Sequence, residues 1–390
     1  MGNRIRFYCS RYGLTGFLSV CILLLSLKKP VFAKTDSFSV MQWNRELQAL
    51  ETLGKKAGNE IGAERNVQSV TEHMPVSYDP RHRQLVTPVR DQQDWALCWD
   101  YAGIALMESA LLKKGYGRAD VDLSELHGAY AAYCLQADAS SFSQFCRRTN
   151  TRTALFEAAL AGMGPVQEVE VPMRQITDDF ALTERELCRQ QYKVLSVRTQ
   201  PLADANACKM QILQTGGLMI SYYSYGLYYR NRADGSGDSS YYFPYVTKSL
   251  NHTVEVVGWD DTYKAEHFVK MPQKDGAWLV KNSWGQKGYK GGGSGFYWIS
   301  YEDGSLQKQL ALSVQMSEKP VQDKLPEAES SRQEEEQEEE EKVISDPPPT
   351  WEERKECALW PMPVIEEIQP GRKHAVRDRL SMQRKLVNRF

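Results

Sequence analysis

The chain is expected to fold as an α+β protein, helices first and antiparallel strands afterwards, and three observations predict it. The first is a strongly helical run from Cys98 to Lys114, with Ala102, Ala105, Leu106 and Ala110 at helical spacing and Lys113, Lys114 and Gly115 closing it. The second is a later set of β-branched and aromatic runs, Gly216 to Tyr222, Asn251 to Trp259, Gly276 to Lys281 and Phe296 to Ile299, which read as strands. The third is size: 390 residues, 42% hydrophobic and 25% charged, hold one sizeable core plus appendages, or two domains.

Taken in order, Arg4, Arg6 and Arg11 precede an apolar run, Gly16 to Leu27, that is too short to span a bilayer, and Val31-Phe32-Ala33 offers a small-residue cleavage site. Residues 1–33 therefore read as a signal peptide, and the protein as exported: secreted, periplasmic or at the cell surface. Lys28, Lys29 and Pro30 interrupt the end of the signal, which leaves an uncleaved anchor as the alternative. Residues 34–73 hold one amphipathic segment, Val40 to Leu53, with Trp43, Leu47 and Leu50 on one helical face, and form a candidate pro-segment. The main domain spans 74–317. Within it Asp122 to Leu126 reads as a capped helix start, Thr153 to Ala161 as a short helix, Val166 to Val171 as an extended stretch and Lys209 to Leu213 as another short helix. Gly291 to Gly295 is read as a turn feeding a strand rather than a phosphate loop, because no helix follows. Residues 318–350 are an acidic, proline-containing linker, since the Glu run from Ser330 to Lys342 cannot build a core. Residues 351–390 are a tail whose basic amphipathic end is either solvated or a docking helix for a surface or anionic partner. A net charge of −2 argues against nucleic acid as a partner.

Chemistry gathers at three segments. Cys98 opens the first helix, where the positive end of the dipole favours thiolate, the form that attacks a carbonyl. His252 stands at the start of a Val-rich strand. Asn282 ends another, in Asn282-Ser283-Trp284-Gly285. Nucleophile, base and orienter in that order are the parts of a Cys-His-Asn site, although any one of the three alone would read as a core residue. These segments, over roughly Met74 to Val314, resemble those of papain-like cysteine peptidases. Ser124-Glu125-Leu126-His127, Gly258-Trp259-Asp260-Asp261 and Tyr297 to Tyr301 resemble the bacterial exported members in particular.

The resemblance implies a two-lobed fold, a helical half and a β-barrel-like half with a cleft between. It implies that Gln92 and the backbone N–H of Cys98 form the oxyanion hole, that Asn282 orients the His252 imidazole, and that Trp284 covers the His-Asn hydrogen bond. It implies hydrolysis of a peptide or protein substrate through an acyl-enzyme, with no cofactor and no metal, by an enzyme read as a monomer. An acyl transferase on the same scaffold and a non-catalytic binder are the alternatives. His252 and Asn282 lie further from Cys98 than the ~130–150 residues of the papain pattern, as a tyrosine-rich insertion before His252 would produce. The inhibitory pro-region of the family is usually longer than residues 34–73, so occlusion of the cleft by this segment is not expected. The bacterial relatives often carry a lectin-like domain after the peptidase, for which Glu318 to Phe390 leave no room.

Subtracting Cys98 leaves Cys134, Cys146, Cys188 and Cys208 in the main domain and Cys357 in the tail. Pairs close in sequence predict two disulfides, Cys134 with Cys146 and Cys188 with Cys208, in an oxidising compartment; a zinc site is the alternative. Tyr222, Tyr223, Tyr225, Tyr228, Tyr229, Tyr241, Tyr242 and Tyr245 are either strand packing or an aromatic substrate wall, packing being favoured. Two departures from the family predict a narrow specificity. Cys146-Arg147-Arg148-Thr149-Asn150-Thr151-Arg152 lacks the family's glycine pair, and Trp95, Ala96 and Leu97 add bulk before Cys98.

Overall fold

A computed structural model describes residues 38–56, 74–116, 121–135, 141–148, 152–231, 238–286 and 294–317. The signal peptide, the acidic linker, the basic tail, Cys357 and residues 149–151 lie outside the described residues. In sequence order the elements are β1 (Phe38–Ser39), α1 (Val40–Lys56), β2 (Ser77–Tyr78), α2 (Cys98–Lys113), α3 (Glu125–Leu135), α4 (Phe142–Arg148), α5 (Ala154–Leu160), α6 (Glu184–Leu187), β3 (Val194–Pro201), α7 (Ala205–Thr215), β4 (Leu218–Tyr222), β5 (Tyr229–Arg230), β6 (Ser239–Tyr241), β7 (Ser249–Leu250), β8 (His252–Asp260), β9 (Ala277–Lys281), β10 (Phe296–Ser300) and β11 (Leu310–Met316). Among the described residues no helix is long and apolar enough to cross a membrane.

The helical half is built around α2, which is buried from Trp99 to Leu112 because it packs on other helices on one side and on β8 and β11 on the other. That position explains its nearly uniform apolar composition, since no face is left for water. Two glycines permit the close approach of its neighbours: a Cβ at Gly103 would stand 2.5 Å from Leu155 Cδ2, and one at Gly128 2.6 Å from Asp100 Oδ1. α3 starts as predicted, with Ser124 Oγ accepting from the His127 N–H at 3.0 Å. The predicted short helix at Lys209 to Leu213 lies inside α7, which Asp204 caps through the Ala207 N–H at 3.0 Å. Val166 to Val171 forms no strand; Gln167 makes only an isolated bridge to Leu123.

The β half is a nine-stranded sheet with the order β3-β11-β4-β8-β9-β10-β6-β5, and β2 added on β8. Its pairings are antiparallel except that β6 runs parallel to β10 (Ser239 opposite Tyr297). Trp259, Trp278, Tyr222, Tyr241, Val254, Val256 and Ile299 form a second core on this half, separate from the helical one.

The N-terminal segment folds as the predicted amphipathic helix and docks. Trp43, Leu47, Leu50 and Leu53 are buried in the core that α2 to α5 share with Met219, Leu250 and Leu312. Trp43 Nε1 donates to the Leu310 carbonyl at 2.6 Å, Asn44 bonds both Lys308 and Leu310, and β1 pairs antiparallel with β7, two residues before His252.

Neither predicted disulfide forms: Cys134, Cys146, Cys188 and Cys208 are all thiols. Closeness in sequence did not become closeness in space. Cys208 is sealed in the core of the β half with Sγ 3.5 Å from the Pro201 carbonyl, whereas Cys188 follows α6 beside Leu187, which belongs to the helical core. Cys146 is fully buried on α4, and Cys134 packs at the edge of the same core on α3. Among the described residues no group of three or more His, Cys, Asp or Glu could hold a metal.

Candidate active site

Three elements bring the three predicted residues together. Cys98 is the first residue of α2, at the helix end whose N–H groups have no intrahelical acceptor. His252 is the first residue of β8, paired opposite Tyr222 of β4, and Asn282 follows the last residue of the adjacent strand β9. His252 Nε2 lies 2.8 Å from Asn282 Oδ1. An amide oxygen can only accept, so Nε2 carries the proton and Nδ1 is the nitrogen left for the thiol. The Trp284 indole stacks on the imidazole at 4.5 Å between centroids and 22° between planes, over a pair that is itself buried. Dry surroundings strengthen that hydrogen bond.

Cys98 is half-buried. Burial pushes its thiol up, but a hydrogen bond to His252, the imidazole's charge, the Arg152 guanidinium and the Thr253 N–H together outweigh that and hold it below the ordinary thiol value. Arg152 is buried just ahead of α5 and faces both Cys98 and Glu46 of α1; burial brings its own pKa down to about 10. In the sequence Arg152 stands out only as part of a loop lacking glycine, and no local pattern marks it, because its partners come from two distant elements.

The loop that carries the predicted oxyanion donor is stitched to Asn282-Ser283-Trp284-Gly285. The Gln92 N–H donates to the Ser283 carbonyl (2.8 Å), Gln92 Oε1 accepts from Ser283 Oγ (2.6 Å), and the Gly285 N–H donates to the Arg90 carbonyl (2.9 Å). Gln92 Nε2 gives one N–H to the Trp95 carbonyl at 2.7 Å. Because the Trp95 carbonyl can only accept, the amide's NH2 end must face it, and the second N–H of Nε2 is left as a donor for an oxyanion.

Beneath the site runs a buried polar network. Lys281, next to Asn282, donates to Thr87 Oγ1 at 2.6 Å, and Thr87 donates to Glu108 of α2. Arg90 pairs with Asp122 and approaches Glu108 at 3.9 Å. These groups tie α2, the loop of Gln92 and the strand before Asn282 into one frame, and burial raises Glu125 to about 8 and Glu255 to about 7 beside them.

The bulk predicted before Cys98 does not all face the substrate side. Leu97 is fully buried in the helical core, and the Ala96 N–H donates to the Cys146 carbonyl at 2.8 Å. Trp95 is half-buried, with the Arg147 guanidinium 4.3 Å above its ring. The tyrosine cluster divides: Tyr222, Tyr229 and Tyr241 are packed, as favoured, while Tyr225 and Tyr245 are exposed.

A thiol beside an imidazole that an amide orients is the constellation of thiol-dependent acyl-transfer enzymes. Similarity to known proteins makes the class specific: residues 74–315 match the papain family of cysteine proteases, and the protein belongs to that family. The senescence-specific cysteine protease of Arabidopsis thaliana is 24% identical over 63% of this chain and 62% of its own length. Cysteine proteinase 1 of Entamoeba histolytica is 26% identical over 63% of this chain and 71% of its own. Among solved structures, Cwp84, a surface-layer-associated cysteine protease of Clostridium difficile, superposes with a TM-score of 0.53 at 28% identity, covering 64% of this chain and 53% of that one. A second structure of Cwp84, after propeptide cleavage, gives a TM-score of 0.54 at 28% identity over 63% and 59%. The chain thus spans about three fifths of the first of these relatives and somewhat less of Cwp84.

Proposed function

We propose that this protein is an exported cysteine endopeptidase. The single observation that carries the reading is the His252 imidazole, bonded through Nε2 to Asn282 and near enough to Cys98 to help hold that thiol below its ordinary value. The Cys98 thiolate attacks the scissile carbonyl carbon. The oxyanion takes hydrogen bonds from the Cys98 N–H and the second N–H of Gln92, the imidazolium passes its proton to the departing amine, and the C–N bond breaks to leave a thioester. Water then attacks the thioester with His252 as base, and the acid leaves as the thiol re-forms.

Export is supported by the basic residues and apolar run of residues 1–33, and the surface association of Cwp84 agrees with it. The candidate pro-segment of residues 34–73 is anchored to the main domain in this reading, with Trp43, Leu47 and Leu50 seated in its hydrophobic core. Arg147, whose guanidinium lies over the Trp95 ring three residues before Cys98, would favour acidic residues near the scissile bond if it faces the substrate, as the expected narrow specificity needs.

The test is a thiol-alkylating probe at neutral pH with mass spectrometry, together with peptide hydrolysis by the wild type and Cys98→Ala. Selective labelling of Cys98 and loss of hydrolysis in the variant are expected; hydrolysis at the wild-type rate by Cys98→Ala would end the assignment. Product analysis with and without an added amine separates hydrolysis from transfer.

A further inference from the structure

The exposed members of the tyrosine cluster do not scatter. Tyr225 (46% exposed) and Tyr245 (60%) lie with half-buried Tyr223, Tyr228 and Phe243 in one ladder, and exposed Leu227 (71%) and Val246 (76%) adjoin Tyr228 and Tyr245 in the chain. Ring centroids step from Tyr223 to Tyr225 at 6.4 Å, Tyr225 to Tyr228 at 6.0 Å and Tyr228 to Tyr245 at 6.5 Å, with Phe243 behind at 5.2 Å from Tyr228. A continuous apolar face of this kind on a folded surface marks a contact site, whereas single exposed apolar residues do not.

The ladder is held rigidly. The Phe243 N–H donates to Asp303 Oδ2 at 2.7 Å, the Gly304 N–H to the Phe243 carbonyl at 2.7 Å, and the Tyr223 N–H to Ser305 Oγ at 3.0 Å. A Cβ at Gly304 would stand 2.2 Å from the Tyr245 carbonyl, so only glycine lets that part of the ladder sit down on the Asp303-Gly304-Ser305 turn. Surfaces ordered in advance lose little entropy when a ligand lands on them.

The ladder is also anchored to the base. Asn251, the residue before His252, accepts from the Ser224 N–H at 2.6 Å and donates to the Ser224 carbonyl at 3.0 Å, and the Tyr222 ring lies 5.6 Å from the imidazole between centroids. Buried Tyr229 touches Trp284, which stacks on the same imidazole. In acyl transfer the imidazole hands its proton to the leaving amine, so the departing half of the substrate, the part after the scissile bond, crosses the base and not the nucleophile helix.

We propose that Tyr225, Leu227, Tyr245 and Val246 form a leaving-group-side wall that selects peptides with apolar or aromatic residues C-terminal to the scissile bond. The proposal rests on the peptidase reading above and adds the chemistry of the substrate on one side of it. The occupant is an extended peptide because the wall is tied through Ser224 and Asn251 to the base at which the bond is cut.

Three substrates sharing one acyl half test it: one with a small arylamide leaving group, one extended by Leu and Phe, and one extended by Ser and Gly. Each is assayed with the wild type and with Tyr225→Ser/Tyr245→Ser and Leu227→Ser, all surface changes. The wall requires a lower KM for the Leu/Phe peptide in the wild type. It requires a rise of about tenfold in that KM in the double variant with kcat unchanged, and no change for the arylamide. Equal KM values for the two extended peptides, or an equal shift for all three substrates, overturn the wall while leaving the peptidase reading intact. Self-association that the substitutions dissolve without moving KM also overturns it, by giving the face to a second copy. Cleavage of none of the three by a wild type whose Cys98 also resists the alkylating probe removes the peptidase reading itself, and the wall with it.

Discussion

Cys98 and Cys146 lie in adjoining segments, joined by the hydrogen bond from the Ala96 N–H to the Cys146 carbonyl, yet their surroundings push the two thiols in opposite directions. Around Cys146 burial raises the thiol, with Asp100 adding to the effect, and Arg147 opposes it too weakly. Around Cys98 burial raises it as well, but His252, Arg152 and the Thr253 N–H win. Burial alone thus makes a thiol inert, and reactivity comes from the charges and donors that other elements bring to it.

The largest way to break this contrast is Cys98→Ala. Peptide hydrolysis should fall by roughly 10⁵-fold or more, the scale of losing a nucleophile that acts as a unit with its base. In the same experiment on the folded wild type, alkylation should mark Cys98 and leave Cys146 and Cys208 unlabelled until denaturant is added. Labelling of Cys146 at a comparable rate would erase the contrast.

Asn282→Ala should reduce kcat by about 10²-fold, less than loss of the nucleophile, because the imidazole keeps its basicity and loses its orientation. Comparing kcat for the two variants checks the ranking, and an Asn282→Ala loss as deep as that of Cys98→Ala would contradict it.

Arg152→Gln sharpens the difference between the two thiols electrostatically. The arginine favours thiolate, so its removal should move the acidic limb of the alkylation rate of Cys98 to higher pH, with a several-fold loss at about pH 6 that closes by about pH 9. Glu46→Gln should move the limb the other way, since Glu46 shares the guanidinium's charge; burial raises its own carboxyl, with Glu157 and Arg45 also facing it. An unmoved profile in both would reduce Arg152 to packing.

The smallest expected effect concerns stability. Glu255 is raised to about 7 and Glu125 to about 8, chiefly by burial. A carboxyl whose folded pKa lies above its unfolded value contributes stability that is fully present below the ordinary carboxylate range and is lost as pH rises through the folded value. Tm should therefore decline by roughly a few degrees from about pH 5 to about pH 8 and level off above that, and Glu255→Gln should flatten the part below about pH 7; a parallel decline in the variant would exclude that carboxyl as the source.

Much of the site was legible in the sequence because the local signals agreed. Cys98 opens a run of helix formers, His252 opens a β-branched strand and Asn282 follows one, so each site residue is marked by the end of an element that short-range patterning defines. The face of α1 is legible for the same reason, from Trp43, Leu47 and Leu50 at helical spacing. The disulfide pairing fails because nearness along the backbone does not fix nearness in space, and Cys188 and Cys208 enter different halves. The expectation for Leu97 fails because its neighbours in sequence border the nucleophile while its own side chain turns into the helical core.

By itself the sequence determined the helix that Cys98 opens, the strands at His252 and before Asn282, the helices-then-strands order, and the identities of thiol, imidazole and amide, since hydrophobic periodicity and end signals act over a few residues. Only the tertiary structure decided that Arg152 faces both Cys98 and Glu46, that Lys281, Thr87 and Glu108 form one buried frame, that β6 lies parallel to β10, and which tyrosines face water. Those outcomes depend on contacts between segments far apart in sequence, whose energies are set by burial and distance in space, and no local pattern encodes either.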